Sequence, residues 1–203
     1  MAAFGAVFPE TMIYCTDLDG TLIPNDMSVT SFFSVNLKNP LMLIPSLWWL
    51  VRSGGRREVL KFYIERRYAF DPAKLSWNRE VLDFLREQAA NPENEVYIVS
   101  GSADALVKKI AFYHGFFRNG FGTNPEVNLV GKNKLAYLRR RFPDQEICYI
   151  GNSRTDLRVW EGVSSGMVVS DNQRLIEEAK SVTRIDRVFP PKWEKPGSRG
   201  AFA

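Results

Sequence analysis

Short apolar runs recur along the chain, with helical patterns between them. Met12-Ile13-Tyr14-Cys15, Val96-Tyr97-Ile98-Val99, Ile147-Cys148-Tyr149-Ile150 and Met167-Val168-Val169 each read as a buried strand. Val81, Leu82, Leu85 and Gln88 mark a helix near 78–89, and a second helix runs about 103–114. Leu135, Leu138 and Phe142 mark one face of a third, and a last helix ends near Lys180. Strands alternating with helices predict an α/β domain on a parallel sheet.

One long interval breaks the alternation. Between the first strand, near 12–17, and the helix at 78, the pattern reads as helices near 27–38, 40–52 and 56–69. In the last of these, Val59, Phe62, Tyr63 and Arg66 form an apolar face with a basic edge, and Gly54-Gly55 separates it from the helix before. The expected organisation is a core of residues 1–23 and 76–182, opened by a loose leader, with a helical insert over 24–75. Residues 183–203 hold Pro190-Pro191 and Lys195-Pro196-Gly197 with few core candidates, and read as a flexible tail. A chain of 203 residues with 45% hydrophobic content has room for one such domain and its core.

The polar residues after each strand carry the candidate chemistry. Asp17-Leu18-Asp19-Gly20-Thr21 follows the first strand, and two carboxylates two residues apart share a side on a continuing strand. Gly20 lets the chain turn sharply just after them. One carboxylate suits attack on an electrophile and the other suits proton transfer, with a hard divalent cation offsetting their repulsion. Ser100-Gly101-Ser102 ends the second strand, and Gly151-Asn152-Ser153-Arg154-Thr155-Asp156 ends the third. All three clusters fall at the C-terminal edge of the sheet, where open α/β sheets bind ligands. Singly, each also has a plain structural reading: an Asx-rich turn, a Ser or Asn cap, solvated lysines at a helix start. A basic residue in a first helical turn opposes the dipole, which weighs toward function for Lys134.

Taken in order, Asp17 with Asp19, then Ser100, Lys134, and Asn152 with Asp156 resemble the four motifs of the haloacid dehalogenase (HAD) superfamily. From about Tyr14 to Ser170 the chain further resembles the HAD-type domain fused to UbiA-type prenyltransferases. The shared stretches are Asp17-Leu-Asp-Gly-Thr-Leu-Ile, Asn39-Pro-Leu, Asn128-Leu-Val-Gly-Lys-Asn-Lys134 and Gly151-Asn-Ser-Arg-Thr-Asp-Leu-Arg-Val-Trp160. The resemblance implies a Rossmann-like HAD fold in which the insert is a small cap that excludes water. It implies Asp17 as nucleophile, Asp19 as general acid and base, and Thr21, Ser100, Gly101 and Lys134 as phosphoryl-binding groups. It implies Mg²⁺ held by Asp17, Asp19, Asn152 and Asp156. The superfamily usually carries Asp at the position of Asn152, so this site has one charge fewer for the cation. An Asp two residues after the nucleophile is absent from the dehalogenases, which points to phosphate esters.

Charge refines the substrate expectation. A net charge of +4 is too small to imply nucleic acid. From Met27 to Arg57 there is no acidic residue, while Lys38, Arg52, Arg56 and Arg57 flank Leu41-Met42-Leu43-Ile44 and Leu47-Trp48-Trp49-Leu50-Val51. That combination fits either a contact with an anionic lipid surface or a cap packed on the core. The apolar run is interrupted by Pro45 and is short of the ~20 residues a spanning helix needs. Cys15 and Cys148 lie in predicted strands and read as reduced core residues, and His114 reads as structural. No secretory signal pattern opens the chain, which gives a cytoplasmic expectation, at the membrane surface if the cap touches lipid. The expected function is a Mg²⁺-dependent phosphomonoester hydrolase working on a prenyl-linked or sugar phosphate. The alternative is a weakly active or inactive scaffold that binds a membrane prenyltransferase.

Overall fold

The computed structural model describes residues 12–24 and 71–195. The expected cap helices, the leader at 1–10 and the last residues of the tail lie outside the described residues. Six strands form one parallel sheet: β1 (Met12–Thr16), β2 (Asn94–Ala103), β3 (Asn119–Thr123), β4 (Glu146–Gly151), β5 (Ser165–Val169) and β6 (Ile185–Phe189). Their order is β3-β2-β1-β4-β5-β6. The helices are α1 (Arg79–Ala89), α2 (Asp104–His114), α3 (Lys132–Arg141), α4 (Leu157–Trp160) and α5 (Gln173–Val182). β1 pairs with β2 on one side and β4 on the other, so the chain order reverses there and the loops after β1 and β4 diverge.

Strand parity sorts the core into two faces. Val96, Ile98, Cys148, Ile150, Met167 and Val169 pack with Val81, Leu82 and Leu85 of α1 and Leu106, Val107 and Ile110 of α2. Ile13, Cys15, Tyr97, Val99, Ile147, Tyr149 and Val168 face the other way, toward Leu138 of α3, Trp160 of α4 and Ile176 of α5. Both faces of the sheet are covered, as parallel strands require. Tyr149 therefore points to the layer that contains α3.

The C-terminal stretch corrects the sequence reading. Residues 183–195 are not a flexible tail but part of the core domain. β6 pairs with β5 from Gly166↔Ile185 to Val169↔Phe189, and Phe189 is fully buried against Phe84. Beyond it, Glu194 exchanges backbone hydrogen bonds with Trp77, and its carboxylate pairs with Arg79 at 2.7 Å. Asn78 caps α1 by accepting from Val81 N–H, and donates its own amide to the Pro190 carbonyl at 3.0 Å. Only the ends of β6 face inward while Asp186, Arg187 and Val188 are exposed, so the strand lacks an apolar run.

Candidate active site

The loop after β1 is built around one buried side chain. Asp17 N–H still donates to the Ile150 carbonyl at 2.9 Å, which continues the ladder past the strand. Leu18 is fully buried in the α1–α2 layer, and Asp17 and Asp19 on either side of it line one cavity. The chain then reverses tightly, with Leu22 N–H and Ile23 N–H both donating to the Leu18 carbonyl. Gly20 adopts φ 74°, and a Cβ there would lie 2.0 Å from Asn152 Nδ2. Glycine is thus required twice over, by the backbone and by the opposing side chain.

The cavity is 380 Å³, and its walls include Asp17, Asp19, Gly20, Ser100, Gly101, Lys134 and Asn152. Of the expected site residues, six converge there: Asp17, Asp19, Ser100, Gly101, Lys134 and Asn152. Thr21 is fully buried, and its hydroxyl donates to Asn152 Oδ1 at 3.2 Å, so it ties the β1 loop to the β4 loop. Asp156 is 2% exposed and stands behind the wall. Its Oδ2 accepts from Asn152 N–H, Ser153 N–H and Ser153 Oγ, at 3.1, 3.0 and 2.8 Å. Its Oδ1 accepts from the Tyr149 hydroxyl at 2.9 Å. The three contacts at Oδ2 hold the loop that presents Asn152.

Lys134 reaches the site from the first turn of α3. Its ammonium lies 3.2 Å from Asp17 Oδ2, 3.7 Å from Asp156 Oδ1 and 2.6 Å from the Tyr149 hydroxyl. Asp17 Oδ1 accepts from Leu18 N–H at 2.8 Å. Burial pushes the Asp17 carboxyl up to about 6 against the pull of Lys134, with Asp156 and Asp19 adding to the rise. Burial, with Asp156 and Asp17 nearby, holds the Tyr149 phenol well above its ordinary range, so it stays protonated.

Two side chains that hold site residues were not singled out from the sequence. Ser102 Oγ donates to Asp19 Oδ2 at 2.6 Å, from the end of β2 where the ladder to β3 shifts register. Ser102 N–H also donates to Ser100 Oγ at 3.1 Å, which leaves the Ser100 hydroxyl proton for another acceptor. Tyr149 is the other. Its signal was a polar-tipped aromatic inside a continuous apolar run, on the strand face that meets α3.

Whether these residues suit a divalent cation depends on the donor set. Among the described residues no group of three His, Cys, Asp or Glu converges to hold a metal ion. Asp17, Asp19 and Asn152 line the cavity and bring oxygen donors of the hard type that Mg²⁺ takes with several waters retained. Asp17 and Asp156 lie 3.2 and 3.7 Å from the Lys134 ammonium, and Asp19 adds a third negative charge acting on Asp17. That imbalance favours a cation, and the set fits Mg²⁺ with Asp156 as an orienting group behind it.

The family model of haloacid dehalogenase-like hydrolases matches residues 15–161. The uncharacterized protein y4nM of Sinorhizobium fredii (strain NBRC 101917 / NGR234) is 27% identical over 191 residues, 93% of this chain. The chain spans 36% of that relative's length. Among solved structures, a HAD family hydrolase from Salmonella enterica subsp. enterica serovar Typhi is similar at a TM-score of 0.59 and 15% identity, over 89% of this chain and 67% of that one. A phospho-aspartyl intermediate analogue of phosphoserine phosphatase is similar at 0.54 and 14% identity, over 92% and 96%. At such identities the two structures speak to the fold.

Proposed function

Because the chain belongs to the haloacid dehalogenase-like hydrolase family, we propose that it is a Mg²⁺-dependent phosphomonoester hydrolase working through an aspartyl-phosphate. The observation that carries this reading is the convergence of Asp17, Asp19, Ser100, Lys134 and Asn152 on one cavity at the C-terminal sheet edge.

The steps follow from the side chains. An Asp17 carboxylate oxygen attacks phosphorus, and the ester P–O bond breaks. Asp19 gives its proton to the departing alkoxide, then takes one from a water that attacks the aspartyl-phosphate. The second attack breaks the bond between phosphorus and the Asp17 oxygen and releases orthophosphate. Ser100, Gly101 and Lys134 bind the phosphoryl oxygens as charge builds on them. Asp17, the Asp19 carbonyl and Asn152 would hold the Mg²⁺, which supplies charge neutralisation at the phosphoryl group and favours the ionised form of Asp17. Ser102 keeps Asp19 aimed at the cavity, and Thr21 and Asp156 brace Asn152.

The substrate favoured here is an amphipathic phosphate, prenyl-linked or carried on a sugar. Support comes from the acid-free, tryptophan-containing interval from Met27 to Arg57, which lies outside the described residues, and from the resemblance to prenyltransferase-fused domains. The same interval supports a peripheral contact with membrane lipid at the cytoplasmic face, and a membrane prenyltransferase as partner. Among the described residues no helix is long and apolar enough to cross a membrane. The neutral Asn152 favours the second reading, a slow or inactive phosphate-binding scaffold for such a partner.

The deciding experiment is turnover of an aryl phosphate, then of sugar and isoprenoid phosphates, with Mg²⁺ and with chelator. Mg²⁺-dependent release of orthophosphate supports the hydrolase. Phosphate binding with no turnover of any substrate supports the scaffold.

A further inference from the structure

Lys134 is the cation that faces the candidate nucleophile, yet its shortest polar contact is to neither carboxylate. Nζ lies 2.6 Å from the Tyr149 hydroxyl, against 3.2 Å to Asp17 and 3.7 Å to Asp156. The phenol accepts from Lys134 and passes its own proton toward Asp156 Oδ1, 2.9 Å away. The Tyr149 side chain is held on its other side as well. Its ring meets Trp160 edge-on at 6.4 Å, and Trp160 Nε1 donates to the Tyr149 carbonyl at 3.0 Å. Tyr149 is fully buried, so the hydroxyl has no water to compete for it.

We propose that Tyr149 is a positioning residue that fixes the Lys134 ammonium for phosphoryl binding. This deepens the hydrolase reading and rests on it. An ammonium has three N–H groups in a tetrahedral fork. Tyr149 takes one and Asp17 takes another, and Lys134 lines the cavity, so the third is directed to an incoming phosphoryl oxygen. A lysine stem has four rotatable bonds, and a phenol on a central strand removes that freedom before substrate arrives. Tyr149 also couples two parts of the site. Its partner Asp156 holds the Asn152 loop, so one hydroxyl joins the phosphate-binding cation to the loop across the cavity.

The test is Tyr149→Phe, which keeps the ring and removes only the hydroxyl, analysed in a cycle with Lys134→Met. Two readouts run together: turnover of an aryl phosphate with Mg²⁺, and calorimetric affinity for inorganic phosphate. Tyr149→Phe is expected to lower kcat/KM and phosphate affinity by roughly 10- to 100-fold, the usual scale for a partner that orients a binding group. In the Lys134→Met background the same substitution is expected to change both by about twofold at most, the remainder passing through Asp156. Equal losses in both backgrounds, or a loss of thermal stability with phosphate affinity unchanged, would make Tyr149 a packing residue and overturn the proposal. If wild type binds phosphate but turns nothing over, the hydrolase reading falls while the affinity cycle still decides the role of Tyr149. If wild type neither binds phosphate nor turns over any ester, both readings fall.

Discussion

The Ser102 hydroxyl lies 2.6 Å from Asp19 Oδ2 and joins the end of β2 to the loop after β1. A carboxyl group that must give a proton and later take one needs a fixed direction as well as a suitable acidity. Ser102 supplies the direction. Ser102→Ala is expected to lower kcat for an aryl phosphate by roughly tenfold with KM within about twofold, since the hydroxyl orients a reacting group without touching phosphate. An unchanged kcat would mean that Asp19 needs no such restraint.

Asp17→Asn removes the carboxylate proposed to attack phosphorus. Turnover is expected to fall by roughly 10³-fold or more. The fold is expected to survive, because the surroundings already penalise the ionised carboxyl and push it up to about 6. Circular dichroism and thermal melting at pH 7 check the fold, and orthophosphate release checks the chemistry. Near wild-type turnover in protein free of other phosphatases removes Asp17 from the role of nucleophile.

Asn152→Asp adds a charge beside Asp17 and Asp19. Without metal the variant is expected to melt lower than wild type, since like charges are brought together. With Mg²⁺ the order reverses, and the apparent affinity read from thermal-shift titration tightens by roughly tenfold. Unchanged or weaker Mg²⁺ affinity would place Asn152 away from the cation.

The single histidine gives a pH signature independent of the cavity. His114 sits edge-on to Trp77 at a ring distance of 4.4 Å, among Tyr113, Phe116 and Phe117. Burial pulls its pKa from 6.5 down to about 4, with Arg86 adding to the fall. The unfolded chain therefore binds a proton before the folded one does. The stability from a neutral His114 is complete above pH 6.5 and is lost as pH drops toward 4, by up to about 3 kcal/mol. Urea unfolding at pH 7 and pH 5 is expected to show a smaller loss for His114→Phe than for wild type. The histidine proton resonance is expected to titrate near 4, and a midpoint near 6.5 would put the ring in water.

The lipid reading has its own test. Wild type is expected to co-sediment with anionic vesicles at low salt and to release in part at high salt, because each basic residue near such a surface contributes ~1 kcal/mol that salt screens. A Trp48→Ala, Trp49→Ala double variant is expected to bind less at both salts. A wild type that ignores vesicles ends the membrane reading.

The strands that carry the site were legible because each is an unbroken apolar run ending in polar residues. The two edge strands were not, for different reasons. β3 is Asn-Gly-Phe-Gly-Thr, and its glycines stand where a Cβ would come within 2.7 Å of the Val107 carbonyl and 2.5 Å of the Asp104 backbone. Close helix packing there replaces apolar side chains with none, which periodicity cannot register. β6 hides its role behind exposed polar positions. Within the site, Asp17, Asp19, Ser100 and Asn152 were readable as reactive residue types at strand ends, and Lys134 as a basic residue in a first helical turn. Ser102 and Tyr149 act by holding other side chains, and which side chains meet depends on register and strand parity, which emerge only with the fold.

The pairing of β1 has a further consequence for how the chain acquires its shape. β1 leaves the ribosome before both of its partners, Asn94–Ile98 on one side and Glu146–Ile150 on the other. Neither exists until much of the chain has been made. Parallel pairing across such separations must close long loops before any contact rewards them, so the centre of the sheet is a late event in folding. Until β4 emerges, Ile13 and Cys15 lack the second strand that flanks them in the sheet. An early-synthesised apolar strand with late partners stays exposed to wrong association while it waits for them.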